Sequence, residues 1–306
     1  MIHVLSKLGS AAVTFVIAVS LAVVLSSVGG DPVANLLGPL APKEQVEAER
    51  AALGLDRPLP VQVISTLGDV ARGDLGTSLR YEQPCWDIIK SRFPQSLKLM
   101  VFALLLGILV GVPLGVIAAL RENTIVDRLV MTIALTGQSF PLYWLSMMAV
   151  LLFSLKLGWL PAGRADGWSH IVLPGVVLSL LPIGRIARLT RASMSRVLDE
   201  DYILAARARG LSATRTVGIH ALRNAALPVV TIIGLQAGGL LSGAVTVEVV
   251  FAWPGLGSLA VDAVSFRDFK LVQAIVIFGA FIFVTINFAV DVLYGILDPR
   301  IRLRSA

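Results

Sequence analysis

Residues 99–120 read LMVFALLLGILVGVPLGVIAAL, with no charged side chain between Leu99 and Leu120. A helix needs about 20 apolar residues to cross roughly 30 Å of hydrocarbon, so this window is long enough to span a bilayer. The surrounding composition agrees: 56% of the residues are hydrophobic and only 15% charged, with a mean hydropathy of +0.82. A soluble domain carries about 25% charged residues, so this chain lacks the polar side chains needed to cover a water-facing surface.

Working outward, five more windows are free or nearly free of charge. The expected spans are residues 8–30, 99–120, 129–155, 171–189, 225–248 and 271–295, within one transmembrane domain over 1–306. The fourth is interrupted by Arg185 and Arg188, and it spans if their guanidiniums reach the headgroups along their own stems. The first has the Lys7 start and small residues of a signal peptide, but its apolar stretch exceeds the roughly 7–15 residues of a signal core. It is therefore read as a retained helix. The fold class is an all-α integral membrane protein with six transmembrane helices, a long extracytoplasmic loop over 31–98 and a cytoplasmic helix-turn-helix over 193–224.

Basic residues in short loops set the orientation. With the N-terminus inside, Lys7, Arg121, Arg128, Arg185, Arg188, Arg191, Arg196, Arg207, Arg209, Arg215, Arg223, Arg300, Arg302 and Arg304 are cytoplasmic. Only Lys156, Arg164, Arg267 and Lys270 lie in the short outer loops. Both termini are expected inside a multi-pass inner-membrane protein. The net charge of +6 is accounted for by this bias and does not point to nucleic acid.

The long loop is punctuated by Asp31-Pro32, Pro39, Pro42, Pro58, Pro60 and Pro84, and Lys43 to Leu53 reads as a short amphipathic helix on its surface. Pro113, Pro141, Pro174 and Pro182 fall inside spans, where each frees a backbone carbonyl and favours a kink.

The segment from Ser193 to Pro228 carries the most information. Asp199-Glu200-Asp201 place carboxylates at a helix N-terminus, Ala205, Ala206 and Ala208 favour the helix, and Arg207 and Arg209 lie near its C-terminal end. Gly210 supplies the left-handed residue that ends it, and Ser212 caps the next helix. A loop that merely ties two spans together needs neither two capped helices nor a small-residue face. A docking element is the better reading.

Chemistry of other kinds finds little support. One cysteine, Cys85, and three dispersed histidines, His3, His170 and His220, give no metal cluster. A membrane metalloprotease would carry His-Glu-x-x-His, which is absent. The one Ser-His pairing to weigh, Ser139 with His170, puts the histidine at an interface. No catalytic residue is assigned. A secondary transporter or channel is the alternative, and it would need intramembrane ionisable residues and often an inverted repeat. The polar residues expected inside or at the ends of spans are Gln138, Ser139, Tyr143, Gln236, Ser242, Asn287, Glu248 and Asp291. Each fits either a solute pathway or a helix–helix hydrogen bond, and Asp291 also suits an ion pair with Arg300 or Arg302.

Ala205-Ala206-x-x-x-Gly210 resembles the core of the loop found in permease subunits of ATP-binding cassette importers. Asp201-Tyr202, Ala205 to Leu211, His220 to Ala225 and Leu227-Pro228-Val229-Val230 are similar to the dipeptide/oligopeptide/nickel branch. So are Gly30-Asp31-Pro32, Leu53-Gly54-Leu55-Asp56 with Pro58, Gly73-Asp74-Leu75-Gly76 with Ser78, Phe251-x-Trp253-Pro254-Gly255-Leu256-Gly257 and Leu297-Asp298-Pro299-Arg300. The general pattern has Glu where this chain has Leu204, and a terminal Pro where it has Arg223.

The resemblance implies half of a translocation pathway, completed by a second, similar permease and fed by an extracytoplasmic binding protein. It also implies two cytoplasmic ATPase subunits docking on Asp201, Tyr202, Ala205, Ala206, Arg207 and Gly210. The chain has no Gly-x-x-x-x-Gly-Lys-Ser/Thr phosphate cradle, so ATP and magnesium are expected on those partners and no cofactor on this chain. The solute classes implied are dipeptides, longer peptides, glutathione-like compounds and nickel chelates.

Overall fold

The computed structural model describes residues 2–28, 42–52, 56–212 and 215–297. The motif residues Gly30-Asp31-Pro32, Pro39, Leu53 to Leu55 and Asp298-Pro299-Arg300, with Arg302 and Arg304, lie outside them. So do the side chains of Lys7, Arg207 and Asp291. Among the described residues every element is helical, apart from one isolated bridge between Thr77 and Pro84. The helices are α1 (Ile2–Val28), α2 (Lys43–Ala52), α3 (Leu59–Ala71), α4 (Cys85–Leu120), α5 (Ile125–Ser139), α6 (Leu142–Ala149), α7 (Trp168–Leu198), α8 (Asp201–Ala208), α9 (Leu222–Val250), α10 (Leu256–Ser265) and α11 (Phe269–Leu297). A π-helical stretch, Val150–Lys156, continues α6, and another, Thr216–Ala221, precedes α9.

Cys85–Leu120, Trp168–Leu198, Thr216–Val250 and Phe269–Val290 are each long and apolar enough to cross a bilayer. The expected span over 129–155 is not one straight helix. α5 and the helix that succeeds it meet at 99°. Proline at 141 disfavours helical backbone at the residue before it, and Phe140 accordingly takes φ −107° and ψ 145°. α4 also begins fourteen residues before the expected start at Leu99, inside what reads as loop. Its first turns alternate Trp86, Ile88, Ile89 and Phe93 with Asp87, Lys90 and Arg92, an amphipathic pattern that a search for uncharged windows passes over.

The chain divides into two compact units, Met1–Ser96 with Pro254–Phe288, and Leu97–Trp253 with Ala289–Ala306. In the first, Ile88 and Ile89 of α4 pack with Leu256, Leu259 and Ala263 of α10 and with Leu271, Ala274 and Ile275 of α11. Val19 and Ala22 of α1 pack against Ile277. Buried Asp268 organises this unit. Its carboxylate accepts from the Ser78 hydroxyl and from the backbone N–H of Arg80 (3.2 Å) and Leu271 (3.1 Å), the last capping α11. The Gly73-Asp74-Leu75-Gly76 motif is a turn: both glycines have positive φ, and Asp74 Oδ1 accepts from the Gly76 N–H at 2.8 Å.

In the second unit α7 is the central post, with α4, α5 and α9 around it. Its close contact with α4 rests on three glycines one turn apart. An added Cβ would lie 3.0 Å from Pro182 Cβ at Gly107, 2.9 Å from the Ile183 carbonyl oxygen at Gly111, and 2.5 Å from the Ala187 carbonyl oxygen at Gly115. Small residues at this spacing let helix backbones approach closely where lipid supplies no hydrophobic drive. A core of Leu99, Ala103, Leu178, Leu240, Val247, Phe251 and Trp253 fills one end of the unit.

Candidate functional site

Two features of the second unit stand apart as candidates: the short helix α8, and a cleft between α7 and α9. α8 is anchored through one face only. Ile203 is fully buried among Ala119, Met194, Leu198, Ala221 and Ala225, while Leu204 is 53% exposed and Ala205 and Ala208 are exposed beside it. The helix ends as the sequence requires. Gly210 takes φ +78°, the Leu211 N–H donates to Ala206 O (3.3 Å), and the Arg209 N–H donates to Ala205 O (3.1 Å). Ser212 starts the next turn, its hydroxyl accepting from the Arg215 N–H at 3.4 Å and its carbonyl from the Thr216 N–H at 3.0 Å. Tyr202 is held from outside its own helix, its hydroxyl accepting from Asn224 Nδ2 at 2.6 Å. Asp201 lies in the exposed first turn. The arrangement offers a helix anchored through Ile203 and Tyr202 with exposed residues on its outer face, and among the described side chains it assembles no acid–base or nucleophilic pair.

The cleft has a volume of about 710 Å³ and is lined by Arg185, Arg188, Leu189 and Ala192 of α7 and by Ile232, Leu235 and Gln236 of α9. The spacing places each set on one helix face, because residues three and four apart are neighbours. The exposed Arg185 donates through its guanidinium to buried Gln236 Oε1 at 3.2 Å.

The other described polar side chains named from sequence do not line this cleft. The Gln138 amide lies against α7 where Gly184 leaves room, and its Nε2 is buried without a hydrogen-bond partner among the described residues. The Ser139 hydroxyl donates to Leu135 O at 3.5 Å, and Tyr143 and Ser242 are exposed. Glu248 is fully buried near the end of α9, and its backbone carbonyl accepts from the Trp253 N–H at 2.8 Å. Asn287 donates to Phe283 O within its own helix.

Sequence reading overlooked a two-bond ion pair, the shortest among the described residues of the unit. Arg191 of α7 grips Asp127 at the start of α5 with two parallel bonds, Nε to Oδ1 at 2.6 Å and Nη2 to Oδ2 at 2.7 Å. The same carboxylate accepts from the Asn123 N–H at 3.1 Å, and Thr124 caps α5. The signal was present as Thr-x-x-Asp at a helix start, but its partner lies 64 residues away.

Residues 111–303 match the family described as the binding-protein-dependent transport system inner membrane component. The chain belongs to that family. Among its relatives, the glutathione transport system permease protein GsiC of Escherichia coli O6:H1 is 43% identical over 297 residues, 97% of each chain. The di/tripeptide transport system permease protein DppB of Pseudomonas aeruginosa is 41% identical, over 89% of this chain and 90% of that one. Two structures of the MetNI methionine ABC transporter in inward-facing conformations share the fold. Their TM-scores are 0.59 and 0.56 at 17% and 19% identity, each covering 69% of this chain and 96% of the other. The family accounts for the apolar spans, and the expected all-α membrane fold and importer-permease assignment stand.

Proposed function

We propose that this permease forms half of the pathway of an ATP-driven importer of short peptides or glutathione-like compounds, and that α8 couples it to a partner ATPase. In this reading α1, α4, the bent α5–α6 pair, α7, α9 and α11 are the six spans, with both termini cytoplasmic. A second permease completes the pathway, two ATPase subunits bind ATP and magnesium, and a binding protein delivers solute on the opposite side. The solute class comes from the relatives named for glutathione and di/tripeptide transport.

The observation that carries the coupling role is the two-faced packing of α8. One side is locked to the bundle through Ile203 and Tyr202, while Leu204, Ala205 and Ala208 are left uncovered. A helix that transmits force needs both: an anchor so that displacement is not lost in slack, and a small apolar face that a groove can close over. Asp201, Ala206, Arg207 and Gly210 complete the element, setting its start, its closing turn and its charge.

The test is the triple change Ala205→Glu, Ala206→Glu, Gly210→Pro in the assembled transporter. The expected outcome is a chain still found in the membrane that no longer co-purifies with the ATPase. Retention of the ATPase at wild-type levels would overturn the assignment.

A further inference from the structure

Two guanidiniums share the α7–α9 cleft, and among the described residues no carboxylate pairs with Arg185 or Arg188. At 1.5 Å per residue, Arg185 lies roughly 26 Å along α7 from Trp168, and Gln236 roughly 21 Å along α9 from Val250. With those helix ends at one boundary of about 30 Å of hydrocarbon, Arg185 lies near the opposite boundary and Gln236 somewhat inside it. A guanidinium at that margin is stabilised where it faces water, protein or an anion. Gln236 satisfies one N–H of Arg185, and an Arg carries five donors. The remaining donors of both residues have no carboxylate among the described side chains to answer their charge.

The rest of the lining says what would fit. Leu189, Ala192, Ile232 and Leu235 make an apolar wall beside the cationic end. The volume lies within the roughly 300–1,000 Å³ range of small-molecule sites. A guanidinium fork matches a carboxylate with two parallel bonds.

We infer that Arg185, held by Gln236, and Arg188 form a subsite on the translocation path for the C-terminal carboxylate of a short peptide, whose side chains lie along the apolar wall. This rests on the importer reading and adds to it a place where this chain itself touches solute.

The whole transporter, without its binding protein, is placed in phosphatidylcholine vesicles and treated with the arginine reagent phenylglyoxal. Modification is mapped by peptide mass spectrometry. Millimolar Ala-Ala-Ala is expected to slow modification of Arg185 and Arg188 by about fivefold or more, while its C-terminal amide, which lacks the carboxylate, protects neither. Arg164 and Arg209 report unspecific effects. Equal modification with and without the acid overturns the subsite. So does protection by phosphatidylglycerol vesicles that peptide does not increase, which would make it a lipid headgroup site.

With the binding protein restored, Arg185→Gln with Arg188→Gln is expected to cut Ala-Ala-Ala uptake by about tenfold or more, and undiminished uptake again overturns the subsite. If that variant fails to assemble, the wild-type labelling decides the matter alone. A wild-type transporter that takes up no peptide fails the importer reading as well, whereas normal uptake with unprotected arginines fails the subsite alone.

Discussion

Asn224 Nδ2 donates to the Tyr202 hydroxyl at 2.6 Å, fastening α8 to the first turn of α9 across 22 residues of chain. The same amide also donates to His220 O at 3.1 Å, so Asn224 is fixed before it fixes Tyr202. Two motif segments that are separate in sequence thereby become one mechanical joint.

Tyr202→Phe removes the acceptor and leaves the ring. A net hydrogen bond contributes about 1 kcal/mol, so solute moved per ATP hydrolysed is expected to fall roughly fivefold at most. Asn224→Ala is expected to give the same loss, and the double variant no more than either single one. The ratio of uptake to ATP hydrolysis in reconstituted vesicles checks this. Additive losses would mean that the two residues act separately.

Asp127→Asn tests a different joint. Asp127 is 3% exposed and holds Arg191 through two short bonds. Neutralising Asp127 removes charge-assisted bonds and leaves Arg191, which is 28% exposed, with Glu122 at 3.9 Å as its remaining carboxylate, at a cost of about 1–3 kcal/mol. The detergent-solubilised chain is expected to unfold at a clearly lower temperature. Adding Arg191→Met to Asp127→Asn is expected to recover part of that loss, because the cation that has lost its two-bond partner is removed. Thermal unfolding of the two variants side by side decides it.

Much of the fold was legible because lipid imposes one dominant constraint: long uncharged windows become helices. The misses share a physical cause, since each needed information from outside its own window. The early start of α4 at Cys85 depends on Ile88 and Ile89 finding Leu256 and Leu271. α10 hides in a segment read as loop because it is too short to span. The residue pair Phe140-Pro141 announced a break, but not a turn of 99°. The caps of α8 were readable because Gly210 and Ser212 act on their immediate neighbours. The Arg185–Gln236 contact was not, because it joins helices whose register no local pattern reveals.

Gly210→Ala probes the end of α8. Its φ of +78° costs a side-chain-bearing residue about 1–2 kcal/mol, while an added Cβ would meet nothing within 4 Å. The strain is conformational alone, so the helix is expected to form and fray. Hydrogen exchange at the Leu211 amide, bonded to Ala206 O, is expected to speed up by about fivefold or more. An unchanged rate would show that the turn holds without glycine.

Gly115→Ala is expected to be strongly destabilising. Its Cβ would sit 2.5 Å from both the Ala187 carbonyl oxygen and Thr190 Cβ, and 3.0 Å from the Arg191 nitrogen. Two of those three atoms are backbone, so α4 and α7 must separate, and overpacking of this kind costs about 1–3 kcal/mol. Gly239→Ala is the control, since nothing lies within 4 Å of its added Cβ. There the better helix propensity of alanine, about 1 kcal/mol, is expected to leave stability equal or improved. Both changes put the same methyl on a helix of the same unit, so the difference in thermal midpoint between the purified variants isolates the α4–α7 contact. Gly115→Ala as stable as Gly239→Ala would mean that the two helices do not touch there.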